Sequence, residues 1–235
     1  MAIFAIADLH LPGQNNKPMD VFGVQWDRHF EVIQRQWQAL IQPDDIVLIP
    51  GDISWAMHID HALEDLSALA ALPGHKILVR GNHDYWWSSV TKVRTFLPRQ
   101  MYVLQNDALL LDGQIFCGTR GWSLPTAQSP LTEQDEKIYR RELIRLRISL
   151  DAAVSLQSKR PWIVLMHFPP LLTENADTEF AKLLEQYPVQ TVVYGHLHGS
   201  GIKSGFVGYR NGIQYNLVSC DALQFSPRLI SEQRV

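Results

Sequence analysis

The chain has 235 residues, 46% of them hydrophobic and 19% charged, with a formal net charge of −3. A chain of that length can bury a core that needs no disulfide staples, and its mild acidity argues against a broad nucleic-acid or anionic-membrane surface. The opening run to Ala7 is too short for a secretory h-region, and no apolar stretch nears the ~20 residues of a membrane helix, so a soluble cytoplasmic protein with no membrane partner is expected.

Ile3 to Ala7 is a short apolar run and reads as a buried strand. From Trp26 to Ile41, the residues Phe30, Ile33, Trp37 and Leu40 recur at helical spacing. Pro43-Asp44-Asp45 breaks that pattern, and Ile46 to Ile49 reads as a second strand. Ile59 to Leu72 is predicted helical, with Leu63, Leu66, Leu69 and Leu72 along one side and Pro73-Gly74 as its stop. Lys76 to Val79 is the third strand, and the strand–helix–strand rhythm implies parallel strands covered by helices.

Between Met101 and Thr119 the pattern changes to short strands at Tyr102 to Leu104, Ala108 to Leu111 and Gln114 to Cys117, with a turn at Asp112-Gly113. A charge-rich helix follows from Thr132 to about Leu156, opening on a partial capping box, Thr132-Glu133-Gln134-Asp135. Its Arg and Glu residues read as solvated i,i+4 pairs. A strand at Trp162 to Met166, a helix near Thr178 to Leu184 and a strand at Thr191 to Tyr194 come next. A hairpin around Arg210-Asn211-Gly212 closes the series. One domain over residues 1–235 is expected, with 119–160 as a cap or interface insertion. Cys117 and Cys220 lack metal-type spacing and read as buried free thiols.

The chemistry lies in five short pieces, each directly after an apolar run: Asp8-Leu9-His10, Gly51-Asp52, Gly81-Asn82-His83-Asp84, His167, and Gly195-His196-Leu197-His198. Any one of them alone is an ordinary turn or cap. Ligands drawn from the carboxyl ends of several strands converge in the crevice where α/β sheets bind ligands. In an extended strand end, residues two apart point the same way, so Asp8 with His10, and His196 with His198, are expected to reach one cation each.

In order and internal spacing these pieces resemble the calcineurin-like metallophosphoesterase superfamily. Lys17-Pro18-Met19-Asp20-Val21-Phe22-Gly23 and Arg80 to Trp87 resemble a bacterial branch of predicted phosphohydrolases. The resemblance implies an α/β fold with a central β-sandwich of two mixed sheets flanked by helices. It places Asp8, His10 and His198 on a first divalent metal ion and Asn82, His167 and His196 on a second, with Asp52 bridging. It places His83 beside the leaving group and Asp84 in support of its loop. The Asp-Arg-Gly that follows the Gly-Asp in protein Ser/Thr phosphatases of the superfamily is missing, because Gly51-Asp52 runs into Ile53-Ser54-Trp55.

Two cations about 3.5–4 Å apart would activate a water and hold phosphoryl oxygens for in-line attack. The expectation is therefore a phosphoric ester hydrolase in which metal-activated hydroxide attacks and His83 is the general acid, with Asp84 counted alongside it in the catalytic loop. Mixed oxygen and nitrogen ligands suit Mn²⁺ first, then Fe or Zn²⁺. The substrate is read as a small phosphate ester, with a diester slightly preferred over a monoester. Trp55, Tyr85 and Trp86 could stack on a flat group, with at least one of Trp86 and Trp87 read instead as anchoring the helix after the loop in the core, and Arg120 could grip phosphate. The competing readings are a phosphomonoesterase, a catalytically silent metal-binding scaffold and a nuclease.

Overall fold

A computed structural model describes residues 1–14, 19–126 and 129–232; Lys17 and Pro18 of the bacterial motif lie outside them. Among the described residues, eleven strands fall into two sheets. The first has five strands in the order β11(Arg228–Glu232), β1(Ala2–Ala5), β2(Ile46–Pro50), β3(His75–Val79), β4(Met101–Leu104). The second has six, in the order β5(Ala108–Leu111), β6(Gln114–Thr119), β7(Trp162–Met166), β8(Val189–Tyr194), β10(Ile213–Leu217), β9(Gly208–Arg210). Both are mixed: β1 to β4 run parallel while β11 pairs antiparallel to β1, and β6, β7, β8 and β10 run parallel between antiparallel hairpin edges.

Strand periodicity explains how two sheets make one sandwich. In β6, Phe116 points into the core shared with the first sheet, while Ile115 and Cys117 point to the opposite face. In β7, Ile163 and Leu165 take the inner face, and Trp162, Val164 and Met166 the outer one. Strands covered on both sides are largely apolar, which is why most read as hydrophobic runs, with Lys76 on β3 a buried exception. The helices α1(His29–Leu40), α2(Ile59–Ala70) and α3(Val90–Phe96) cover the first sheet, burying Ile33, Trp37, Leu66, Leu69 and Val93. On the far side, α4(Glu133–Val154) and α5(Glu179–Leu184) bury Leu146, Leu150, Ala153, Phe180 and Leu184 against the second sheet. The order helices, sheet, sheet, helices is the expected α/β architecture.

Several local expectations shift. The hairpin turns Asp112-Gly113 and Asn211-Gly212 have positive φ at both residues, 48° and 75°, and 48° and 86°, as the right-handed strand twist requires. β11 was not expected, and the helix expected after the Trp86-Trp87 loop is α3. The segment expected as a cap or interface insertion supplies α4, whose inner face is a packed outer layer of the fold. Its solvent face carries the expected i,i+4 pairs Glu133–Lys137 and Glu136–Arg140. Among the described residues, no helix is long and apolar enough to cross a membrane.

Candidate dinuclear metal centre

All five motif pieces emerge at the carboxyl ends of parallel strands, three from the first sheet and two from the second, and meet at one edge of the sandwich. The backbone there is not extended: Asp8, His10, Asp52 and His196 have φ of 60°, 46°, 52° and 73°. Non-glycine residues in this left-handed region cost on the order of 1 kcal/mol or more each and persist where surrounding structure enforces them. The expectation of strand-like pairing is corrected accordingly. Asp8 and His10 do converge, but the left-handed turn at His196 sends the two histidines of Gly195-His196-Leu197-His198 to different partners.

His198 goes to the Asp8 side. Ligand atoms of Asp8, His10 and His198 lie within 4.8 Å of one another, and so do those of Asp8, Asp52 and His167. Asp8 belongs to both groups. His196 goes to the other side, its Nδ1 3.0 Å from Asn82 Oδ1. His167 Nε2 is 2.6 Å from the same oxygen and 3.5 Å from Asp52 Oδ2. The seven expected ligands are thus gathered at one place. Gly81 and Gly195 make this possible by close approach: a Cβ at Gly81 would collide with Asp52 Oδ1, and one at Gly195 with Asp8 Oδ2.

The donor set fits cations. Asp8 and Asp52 are buried, and among the described residues no Lys or Arg pairs with either, although buried carboxylates need a counter-charge. In its neutral form, His167 donates Nδ1–H to the Pro50 carbonyl at 3.0 Å, which leaves the Nε2 lone pair facing two other acceptors, Asn82 and Asp52. His198 likewise directs Nδ1 to Asp221 at 2.9 Å, and its buried Nε2 faces Asp8 Oδ1 at 3.5 Å. In His167 and His198, an imidazole oriented through one nitrogen presents the other to buried oxygens, which is what a metal centre requires.

Proton affinities follow the same logic. Burial pushes His10 and His196 down to about 3, so both are neutral ligands at neutral pH. Burial, reinforced by the nearby Asp84 and Asp8 charges and opposed by His167, pushes Asp52 up to about 7. Burial would also raise Asp8, but the hydrogen bond and charge of His198, with the charges of His167 and His10, hold it well below the usual carboxylate range. Burial would lower His198, but Asp221 and Asp8 outweigh it and push it up to about 10. A proton held between two carboxylates marks a place where cationic charge is wanted, and a bound metal would displace it.

The remaining expected residues divide. His83 borders the ligands: its N–H donates to Asp52 Oδ1 at 2.8 Å, and its ring lies 5.8 Å from that of His10. Asp84 is buried and binds no ligand group. Its Oδ2 accepts the N–H groups of Asp52 and Gly81, and its Oδ1 accepts those of Ile53 and Ser54 and the Trp86 indole. It is a positioning residue that ties two loops together. That indole bond places Trp86 in the core at 1% exposure, which corrects its expected role as a substrate wall. Trp55 does line a cleft of about 320 Å³ with His10, Trp26, His83 and His198, its ring stacked 4.9 Å from His10. Tyr85 is exposed, its ring edge-on to His83 at 6.1 Å. Arg120 lines a different cleft, beside Glu142. Two contributors were missed, Trp26 and Asp221. Asp221 follows β10 just as the ligand motifs follow their strands, and that position was the available signal.

Solved structures share the fold. A protein of unknown function, AQ665 from Aquifex aeolicus, aligns with TM-score 0.52 and 16% identity over 97% of this chain and 95% of its own. The phosphopantetheinyl hydrolase PptH from Mycobacterium tuberculosis aligns with TM-score 0.56 and 16% identity over 99% and 96%. No curated protein sequence matches closely enough to serve as a relative. The family model for the calcineurin-like phosphoesterase matches residues 1–200. With the ligand geometry above, this match makes the chain a member of the calcineurin-like phosphoesterase family and a metal-dependent phosphoric ester hydrolase.

Proposed function

We propose that the protein hydrolyses a small phosphodiester, with Mn²⁺ as its working metal, in the cytoplasm. The observation that carries the reading is the pair of ligand groups sharing Asp8, with His83 at their border. Bound there, two divalent cations would supply Lewis-acid charge and an acidified water. Asp8, His10 and His198 would hold one cation and Asn82, His167 and His196 the other. Asp52 would fix their spacing, and its second oxygen is already committed to the His83 N–H. His83 would give its proton to the departing oxygen, a task worth roughly 10²–10⁴ in rate.

The preference for a diester rests on the cleft beside His83. Its walls include Met19, Trp26 and Trp55, room for a second, flat or apolar substituent on the phosphorus. A neighbour of the same fold is named a phosphopantetheinyl hydrolase, which suits a small substrate. Cys117 and Cys220 are both buried and unpaired, as thiols are in a reducing compartment. The test is initial rates of metal-stripped protein on bis-p-nitrophenyl phosphate and p-nitrophenyl phosphate, with and without Mn²⁺. Mn²⁺-dependent cleavage favouring the diester is expected; a monoester preference would make the protein a phosphomonoesterase.

A further inference from the structure

A second cleft, of about 250 Å³, opens at the carboxyl ends of β3, β4 and β6, the edge of the sandwich from which the ligand loops also emerge. It shares no lining residue with the aromatic cleft. Four arginines line it, Arg80, Arg120, Arg141 and Arg145, against one carboxylate, Glu142. Glu142 is buried and already well supplied. It accepts from Thr119 Oγ1 at 2.8 Å and Arg145 Nη1 at 2.7 Å, with Arg120 at 3.5 Å and Arg141 at 3.9 Å. Among the described residues, no other carboxylate lies within 4 Å of these guanidinium groups, and Arg80 has none at all. The Nε atoms of Arg80 and Arg120 are buried without a hydrogen-bond partner.

A purely structural ion-pair network would bring carboxylates to its arginines. Here three guanidinium groups share one, and a fourth has none. Burial together with Arg80, Arg141 and Arg145 lowers the Arg120 proton affinity against the pull of Glu142, the mark of cations crowded by like charge. Planar guanidinium forks matched to tetrahedral oxyanions are the usual remedy. The position is also informative. Arg80 directly precedes Gly81-Asn82, and the Arg120 carbonyl accepts the amides of His167 and Phe168 at 3.1 and 2.9 Å. The arginine cleft therefore shares its walls with the loops of Asn82 and His167, as the aromatic cleft does with His10, His83 and His198.

Resting on the phosphodiesterase reading, we infer that the arginine cleft receives a second anionic group of the substrate. The substrate is a phosphodiester with one flat or apolar arm, which leaves from the His83 side, and one arm that carries a further phosphate or comparable oxyanion.

The test compares kcat/KM of the Mn²⁺-loaded full chain on two chromogenic diesters, thymidine 5′-(p-nitrophenyl phosphate) and its 3′-phosphorylated counterpart. A preference for the 3′-phosphorylated compound of about tenfold or more is expected, the effect of a charge-assisted contact. The double substitution Arg80→Gln with Arg141→Gln should bring the ratio near one. Neither side chain makes a protein ion pair shorter than 3.9 Å, so the fold is not at stake. Absence of the preference, or its persistence in the double variant, overturns the inference. Calorimetric titration with inorganic phosphate separates the two readings. Two binding events in the wild type, one of them lost in the variant, support an anion cleft even if neither diester turns over, and that lack of turnover would count against the phosphodiesterase reading alone. One event, unchanged by the substitutions, sinks the cleft itself. A phosphate event lost in the variant with an unchanged diester ratio would overturn the substrate assignment and leave a site for free phosphate.

Discussion

The ligands supplied by the first sheet and those supplied by the second are held in different ways. At the ends of β2 and β3, one buried carboxylate, Asp84, accepts five N–H donors and locks the loops of Asp52 and Asn82 to each other. At the ends of β7, β8 and β10 the supports are more dispersed, the broadest being Asp221, which takes His198 Nδ1 and the Gly199 and Ala222 amides. His167 leans across to the Pro50 carbonyl, His198 is held by Asp221, and His196 rests on Asn82. The first half of the centre is thus assembled by the protein alone, while the second half depends on contacts across the sandwich and, we propose, on the metals. Substitutions in the two halves should fail differently.

The largest effect is expected where the halves meet. Asp52→Asn removes the carboxylate expected to bridge the two cations, whose Oδ2 lies 3.8 Å from His10 Nε2 and 3.5 Å from His167 Nε2, and should drop metal-dependent hydrolysis below detection, with metal stoichiometry reduced when measured by plasma emission. His83→Ala is the contrast, since its ring borders the ligands without joining them. It should slow turnover by roughly 10²–10⁴ while metal content stays at the wild-type value. Equal losses of metal in both variants would erase the distinction between ligand and acid.

Asp84→Asn tests the self-locked half. The amide can still accept from one oxygen, but its NH₂ must face N–H donors that now face the carboxylate, such as Asp52 and Gly81 at 3.0 and 2.7 Å. Unsatisfied buried donors cost about 1–3 kcal/mol each, so a loss of at least ~2 kcal/mol in urea unfolding is expected for metal-free and metal-loaded protein alike. Asp221→Asn tests the other half. It weakens the orientation of His198 and removes an acceptor from the exposed Gly199 amide, and should cost about 10–100-fold in metal affinity with a smaller loss of metal-free stability than Asp84→Asn. If Asp221→Asn destabilised the metal-free chain as much as Asp84→Asn, the asymmetry proposed between the halves would be wrong.

The same asymmetry decided what could be read in advance. Short Gly, Asp and His clusters after apolar runs are visible in one dimension, because strands buried on both faces produce such runs and the conjunction of several such clusters points to one crowded site. The left-handed backbone at Asp8, His10, Asp52 and His196 was not visible, since a non-glycine residue takes that conformation only under tertiary constraint. Glu142 was hidden for the opposite reason. In a helix rich in Arg and Glu, one acid that is buried looks like its solvated neighbours until the sheet it packs on is known. Trp86 and Trp87 adjoin the site in sequence yet turn into the core, one towards Asp84 and the other towards Gln105. Edge strand β11 has mixed composition, and nothing local distinguishes it from a tail.

A smaller effect lies away from the centre, on the first sheet. Lys76 on β3 is fully buried, its Nζ donating to the Leu72 carbonyl near the Trp37 ring, and burial pushes its proton affinity down to about 8. The sign follows from linkage. Below pH 8 the ammonium is charged in both folded and unfolded chains, and the full desolvation cost is present. Between about pH 8 and the unfolded value of 10.5, the folded chain releases its proton first, so this group's contribution to stability rises with pH. Lys76→Met removes the charge and keeps much of the volume. It should raise Tm at pH 7 by a few degrees, on the order of 1 kcal/mol for a chain of this size, less whatever the lost hydrogen bond contributes. The difference from wild type should then shrink as the pH is raised from 8 towards 10. A gap that stayed constant would mean that Lys76 is as well solvated as an exposed lysine. Metal content should be unchanged throughout, because the half of the centre built on β3 is held by Asp84 and not by the strand's buried charge.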